Sequence, residues 1–165
     1  MSETQSDTPR RRECVLLLDE NLSSLTIAEI LRKAPDWIIE LHDDHFERGA
    51  SDADVAEYCG KRGWALVTCD DMRYTPETKK AIAANNLRVL KVVIKKKTLG
   101  VEIAAALILA REKIVGFLRN NRAAVVAHIQ KDGTLHIRAR FEDATRELTA
   151  AQKRTARKFG TGRLF

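Results

Sequence analysis

Long apolar runs are missing from this sequence. Nothing in it approaches the roughly 18 consecutive apolar residues of a membrane helix, so neither a span nor a membrane partner is expected. The opening "MSETQSDTPRRREC" has no apolar stretch of the kind a secretory leader carries, and residues 1–13 are expected to form a disordered basic arm. Cysteine is scarce. Cys14, Cys59 and Cys69 are an odd number, lie far apart and form no C-x-x-C pair, which argues against a disulfide framework and against a zinc site. They are expected to be small buried thiols in a reducing cytoplasm. Internal repeats and low-complexity segments are also absent, which excludes repeat architectures.

What remains is an ordinary globular composition, 44% hydrophobic and 32% charged over 165 residues, enough for one domain with a real core. The net charge of +6 favours an anionic partner. Its distribution is more telling. Acids crowd into residues 36–71, whereas the second half carries "KVVIKKK" (91–97) and a tail, 148–165, with five basic residues and no acid. An acidic patch within a basic protein suits a nuclease, with carboxylates to hold cations and lysines and arginines to hold phosphates.

The periodicity predicts alternating strands and helices. "CVLLL" (14–18) is a buried strand, and "SSLTIAEILRK" (23–33) an amphipathic helix capped by serine and stopped before Pro35. "DWIIEL" (36–41) is a second strand, followed by a helix over 51–62 with Ser51 as N-cap and Gly63 as terminator. "WALVTC" (64–69) is the third strand, and Pro76 opens the next helix. "LRVLKVVI" (87–94) is the fourth strand, with one long helix in 99–120. "VVAHIQ" and "TLHIRARF" flank Lys131-Asp132-Gly133, a hairpin turn signal. The expected architecture is α/β, a mainly parallel central sheet with helices on both faces. A β-hairpin over 121–141 would be appended to the core of 14–120, followed by a basic helix or tail over 142–165.

In open parallel sheets, ligands bind beyond the carboxyl ends of the strands. Two strands here end in paired acids, Asp19-Glu20 and Asp70-Asp71. Asp52 and Asp54 open the helix that feeds the third strand, and a right-handed crossover puts that helix N-terminus on the same side. Asp19, Asp52 and Asp70 are therefore expected to converge. Asp54 has a simpler account as a favourable charge in a helix first turn. Adjacent residues point to opposite faces, so one acid of each strand-end pair should enter the site and the other leave it. Three converging carboxylates repel unless protonated or bridged by a cation, and their hard oxygens suit Mg²⁺ or Mn²⁺. "LHDDHFERG" (41–49) offers His42 and His45 as candidate substrate or metal contacts, against a solvated loop as the simpler account. Lys95, Lys96 and Lys97 end the fourth strand and are candidate RNA-binding residues, against a solvated turn.

The stretches "LLLDEN" (16–21), "SDADVAEYCGKRGWALVTCDD" (51–71) and "RYTPETKKAIAANNLRVLKV" (73–92) resemble PIN-domain proteins, more narrowly the short PIN-like relatives of VapC-type toxins. The resemblance implies an α/β/α sandwich and a Mg²⁺- or Mn²⁺-dependent endoribonuclease, a toxin held inactive by a cognate antitoxin. Carried over, Asp19, Asp52 and Asp70 are catalytic metal ligands, with Asp71 a further catalytic carboxylate and Glu20 a second-tier ligand. RNA and an antitoxin are the implied partners, with a homodimer a further candidate assembly. The glutamate that PIN nucleases carry on a helix between the first two aspartates has no evident equivalent. Glu20, Asp43, Asp44 and Glu47 are candidates, and Glu20 or Asp71 can substitute for it. Two other readings stay open. One is a catalytically degenerate PIN-like domain that binds RNA or protein. The other is a receiver-like phosphoacceptor domain with Asp70 as the acceptor, which leaves Asp52 without a role.

Overall fold

The computed structural model describes residues 14–70 and 75–141. The N-terminal arm 1–13, Asp71 and the basic tail 142–165 lie outside the described residues. Six strands form one sheet in the order β2-β1-β3-β4-β5-β6. These are β1 (Cys14–Leu18), β2 (Trp37–Leu41), β3 (Ala65–Thr68), β4 (Arg88–Val92), β5 (Val125–Ile129) and β6 (Leu135–Arg140). All neighbours pair in parallel except β5 and β6, which are antiparallel.

The strands alternate between two cores, which makes the molecule a three-layer α/β/α sandwich. Leu16, Leu18, Val67, Leu90 and Ile129 face one side, packed under α1 (Leu25–Arg32), α4 (Gly100–Leu109) and α5 (Arg111–Asn120). Leu17, Leu66, Val89 and Val126 face the other, under α2 (Asp52–Arg62) and α3 (Pro76–Ala84). The local signals set the helix ends. Ser24 caps α1, Ser51 caps α2 by accepting from the Asp54 N–H at 3.1 Å, and Thr75 caps α3 with Pro76 at its first position. Gly63 ends α2 at φ 67°, the left-handed cap that glycine tolerates best.

One expectation is revised and one is made more specific. The helix expected within 99–120 is two helices that meet at Ala110. An unbroken helix of 20 residues would run about 30 Å, whereas a five-residue strand spans only about 17 Å. The break at the buried Ala110 lets both halves pack on the same core, and the Gly133 turn packs against the Leu109–Ala110 backbone. The hairpin, for its part, is joined to the sheet. Its first strand pairs in parallel with β4, from Arg88 opposite Val125 to Val92 opposite Ile129.

The order β2-β1-β3 carries the functional consequence. After β1 the chain turns outward to β2 through α1 on one face. After β3 it turns the other way through α3 on the opposite face. Between them lies a topological switch point, the crevice where doubly wound sheets bind ligands.

Candidate active site

At that switch point, beyond the carboxyl ends of β1 and β3, lies a cavity of about 370 Å³. Asp19, Glu20, Asn21, His42, Asp52, Thr68 and Asp70 contribute to its lining. It thus brings together Asp19, Asp52 and Asp70, which are 33 and 18 residues apart in sequence.

Each carboxylate is placed by its element. The Asp19 backbone N–H donates to Val67 O at 2.9 Å, fixing the β1 tip against β3. Asp19 then caps a 3-10 turn at Glu20–Leu22, its Oδ1 accepting from the Asn21 N–H at 2.6 Å. Asp52 stands in the first turn of α2, exposed, where a carboxylate is favoured by the helix dipole. Asp70 follows β3, its backbone N–H donating to Thr68 Oγ1 at 3.1 Å. Asp54 is occupied with capping, accepting from Ser51 Oγ at 2.7 Å. Glu20 is exposed and 4.0 Å from the Arg48 guanidinium.

Two side chains to which sequence reasoning assigned no role join the two strand tips. The Thr68 hydroxyl donates to Asp19 Oδ2, and the Asn21 side-chain amide donates to Asp70 Oδ2. Both belong to recognisable motifs, Thr68 as the last residue of β3, two before Asp70, and Asn21 after "LLLDE". Each bond spans 49 positions, so the motif was visible and the role was not. Ser23 adds a third tie: its Oγ donates to Asp19 O at 3.0 Å and accepts from the His42 N–H at 3.2 Å.

Residues 14–93 match the family model of the PIN like domain. The match runs from β1 through β4, so every residue lining the acidic cavity lies inside the matched stretch. No curated protein and no solved structure matched the chain.

The remaining candidates fall elsewhere or play other parts. His42 lines the cavity but is buried at 4% exposure, with Nδ1 3.3 Å from Asp43 and its ring 5.1 Å from Phe46. His45 is away from the cavity lining. Its Nε2 is 2.8 Å from Glu40, its Nδ1 is 2.9 Å from the Tyr58 hydroxyl, and it packs edge-on against Trp64. Lys95, Lys96 and Lys97 are exposed in the loop after β4, at the same edge of the sheet but outside the acidic cavity. Asp43, Asp44 and Glu47 are exposed and do not line it either.

The donor set suits a hard divalent cation. A carboxylate offers about four lone-pair sites, so Asp19 keeps capacity after its two hydrogen bonds and Asp70 after its one. Among the described residues, no three histidine, cysteine, aspartate or glutamate side chains stand close enough together to hold a metal ion. The backbone brings Asp19, Asp52 and Asp70 to one cavity.

Proposed function

We propose that the PIN-like stretch is a metal-dependent endoribonuclease whose active site is the acidic cavity at the β1/β3 switch point. The convergence of Asp19, Glu20, Asp52 and Asp70 there carries this reading. Asp19, Asp52 and Asp70 would hold Mg²⁺ or Mn²⁺, with Glu20 as a secondary ligand and Asp71 as a further carboxylate. A bound cation of this kind neutralises phosphodiester charge and acidifies water enough for it to attack near neutral pH. The chain's own part is positioning. Thr68 holds Asp19 by donating to its carboxylate, and Asn21 orients Asp70. Ser23 anchors the chain on both sides of the cavity. Hydrolysis by activated water leaves 5′-phosphate and 3′-hydroxyl ends.

The resemblance to VapC-type toxins supports the finer assignment: a toxin component, acting in the cytoplasm, with RNA as substrate and a cognate antitoxin as partner. Lys95, Lys96 and Lys97, at the same sheet edge, would contact RNA phosphates beyond the cavity.

Incubation of labelled RNA with the purified chain tests the reading. Cleavage should require Mg²⁺ or Mn²⁺, vanish in EDTA, and fall by about a hundredfold or more in Asp70→Asn. Undiminished cleavage in EDTA, or 2′,3′-cyclic phosphate ends, would sink the mechanism. The strand order is also one used by phosphoacceptor domains. Acetyl phosphate therefore belongs in the same experiment, and covalent labelling at Asp70 would favour that second reading. RNA binding without any cleavage by the wild type would favour a non-catalytic binding domain.

A further inference from the structure

A second cavity, of about 780 Å³, opens at the opposite, amino edge of the sheet. It lies below the start of β1 and β4, where α2, α3 and α5 end. Four arginines line it, Arg62, Arg88, Arg119 and Arg122, together with Asn85 and Asn86, and no carboxylate is among its described lining residues.

The four arginines are not equivalent. Arg88 is structural: it donates to Leu118 O at 2.9 Å and to Gly63 O, satisfying carbonyls at the ends of α5 and α2. Arg62 donates to Tyr58 O at 3.2 Å and lies 3.4 Å over the Tyr58 ring. Arg119 and Arg122 are exposed, and among the described residues neither side chain makes a hydrogen bond or ion pair. Burial pushes the Arg88 guanidinium below its ordinary range, and the charge of Arg122 pushes it further the same way. Asp36, the carboxylate that acts on nearby Cys14, is already paired with Arg111 at 3.2 Å. Among the described residues, the cavity therefore holds positive charge that no lining carboxylate compensates, which an anion would relieve.

We propose that this cavity is a phosphate-binding site for nucleotide phosphates, either within an RNA strand or of a free nucleotide, with Arg119 and Arg122 as the anion-contacting residues. Guanidinium forks match phosphate oxygens in pairs, and two unengaged forks suit a group carrying more than one negative charge. The volume is within the range of small-molecule sites. Five-residue strands separate the two edges of the sheet by about 17 Å, so one phosphate cannot occupy both sites. The inference does not rest on the nuclease reading.

Binding of ADP and of a labelled single-stranded RNA oligonucleotide, measured with the full chain in EDTA, tests it. Arg119→Gln/Arg122→Gln should weaken binding by about tenfold or more. For RNA it should also flatten the salt dependence by about 1.4 in log K per log salt. Arg119→Lys/Arg122→Lys, which keeps the charge and loses the fork, should fall between, and it carries the test if the Gln pair does not fold. Loss with RNA alone identifies the strand as the ligand, and loss with ADP alone identifies the free nucleotide. The proposal is overturned if neither ligand responds to the arginine changes. It is also overturned if a polyglutamate peptide binds as tightly as either ligand, or if Asp70→Asn weakens binding as much as the Gln pair does. Absence of RNA cleavage by the wild type would count against the nuclease reading alone.

Discussion

Thr68 is 1% exposed, yet its hydroxyl donates to Asp19 and accepts from the Asp70 backbone, so one buried oxygen couples the two strand tips that carry the acids. Thr68→Val keeps the shape and removes both bonds. It should cost about 1 kcal/mol in urea unfolding, because the part-buried Asp70 N–H loses its acceptor and the Asp19 carboxylate its donor. RNA cleavage should fall with it, and Thr68→Ser should restore both; full cleavage by Thr68→Val would show that the hydroxyl does not position the acids. Cys59 makes a different point. Burial pushes its thiol from 9.0 up to about 12, and burial also raises Cys14 and Cys69. A folded-state value above the unfolded one means the contribution is present in full below about pH 9 and is lost as pH rises toward 12. Unfolding free energy should therefore decline over that alkaline window, and Cys59→Ala should reduce the decline. An equal slope in the variant would remove Cys59 from the account.

At the scale of elements, α2 carries Asp52 at its start and a contact with α3 near its end, so its packing sets where Asp52 stands. A Cβ at Gly60 would sit 2.2 Å from Asn85 O, backbone that cannot yield cheaply, whereas Gly116 in α5 has open space around it. The same substitution should then have opposite signs. Gly60→Ala should destabilise by about 1–3 kcal/mol despite alanine's better helix propensity. Gly116→Ala should stabilise by up to about 1 kcal/mol, read as shifts in urea midpoint. The contrast also shows what was legible beforehand. Ser51, Gly63 and Pro76 could be read as helix boundaries because caps are local chemistry. The break at Ala110 could not, since no glycine or proline marks it and its cause is the length of a sheet assembled from distant strands. The pairing of β5 with β4 was hidden for the same reason. Asp19, Asp52 and Asp70 were legible as a set because crossover handedness ties helix starts to strand ends. The departure of His45 to Glu40, Tyr58 and Trp64 was not, because side-chain partners across elements leave no trace in spacing.

For the whole molecule, the sheet order supplies only a crevice, and a fold of this kind hosts many chemistries. This chain carries two oppositely charged cavities, one lined by acids beyond the carboxyl ends of the strands and one lined by arginines below their amino ends. If the acidic edge holds Mg²⁺ or Mn²⁺, the ion should stabilise the entire cooperative unit through linkage, with no RNA present. At a free concentration about a hundred times the dissociation constant the gain is about 2.7 kcal/mol, a rise in melting temperature of several degrees for a domain of this size. EDTA should reverse it. Asp52→Asn separates this from a helix-dipole effect. Loss of the charge from the first turn of α2 lowers baseline stability by about 0.3–1 kcal/mol whether or not metal is present. The decisive quantity is therefore the metal-induced shift, which should shrink in Asp52→Asn and Asp70→Asn but persist in Asp54→Asn, whose carboxylate is engaged with Ser51. A wild-type chain whose melting temperature ignores both cations would remove the metal from the site, whatever the carboxylates do there.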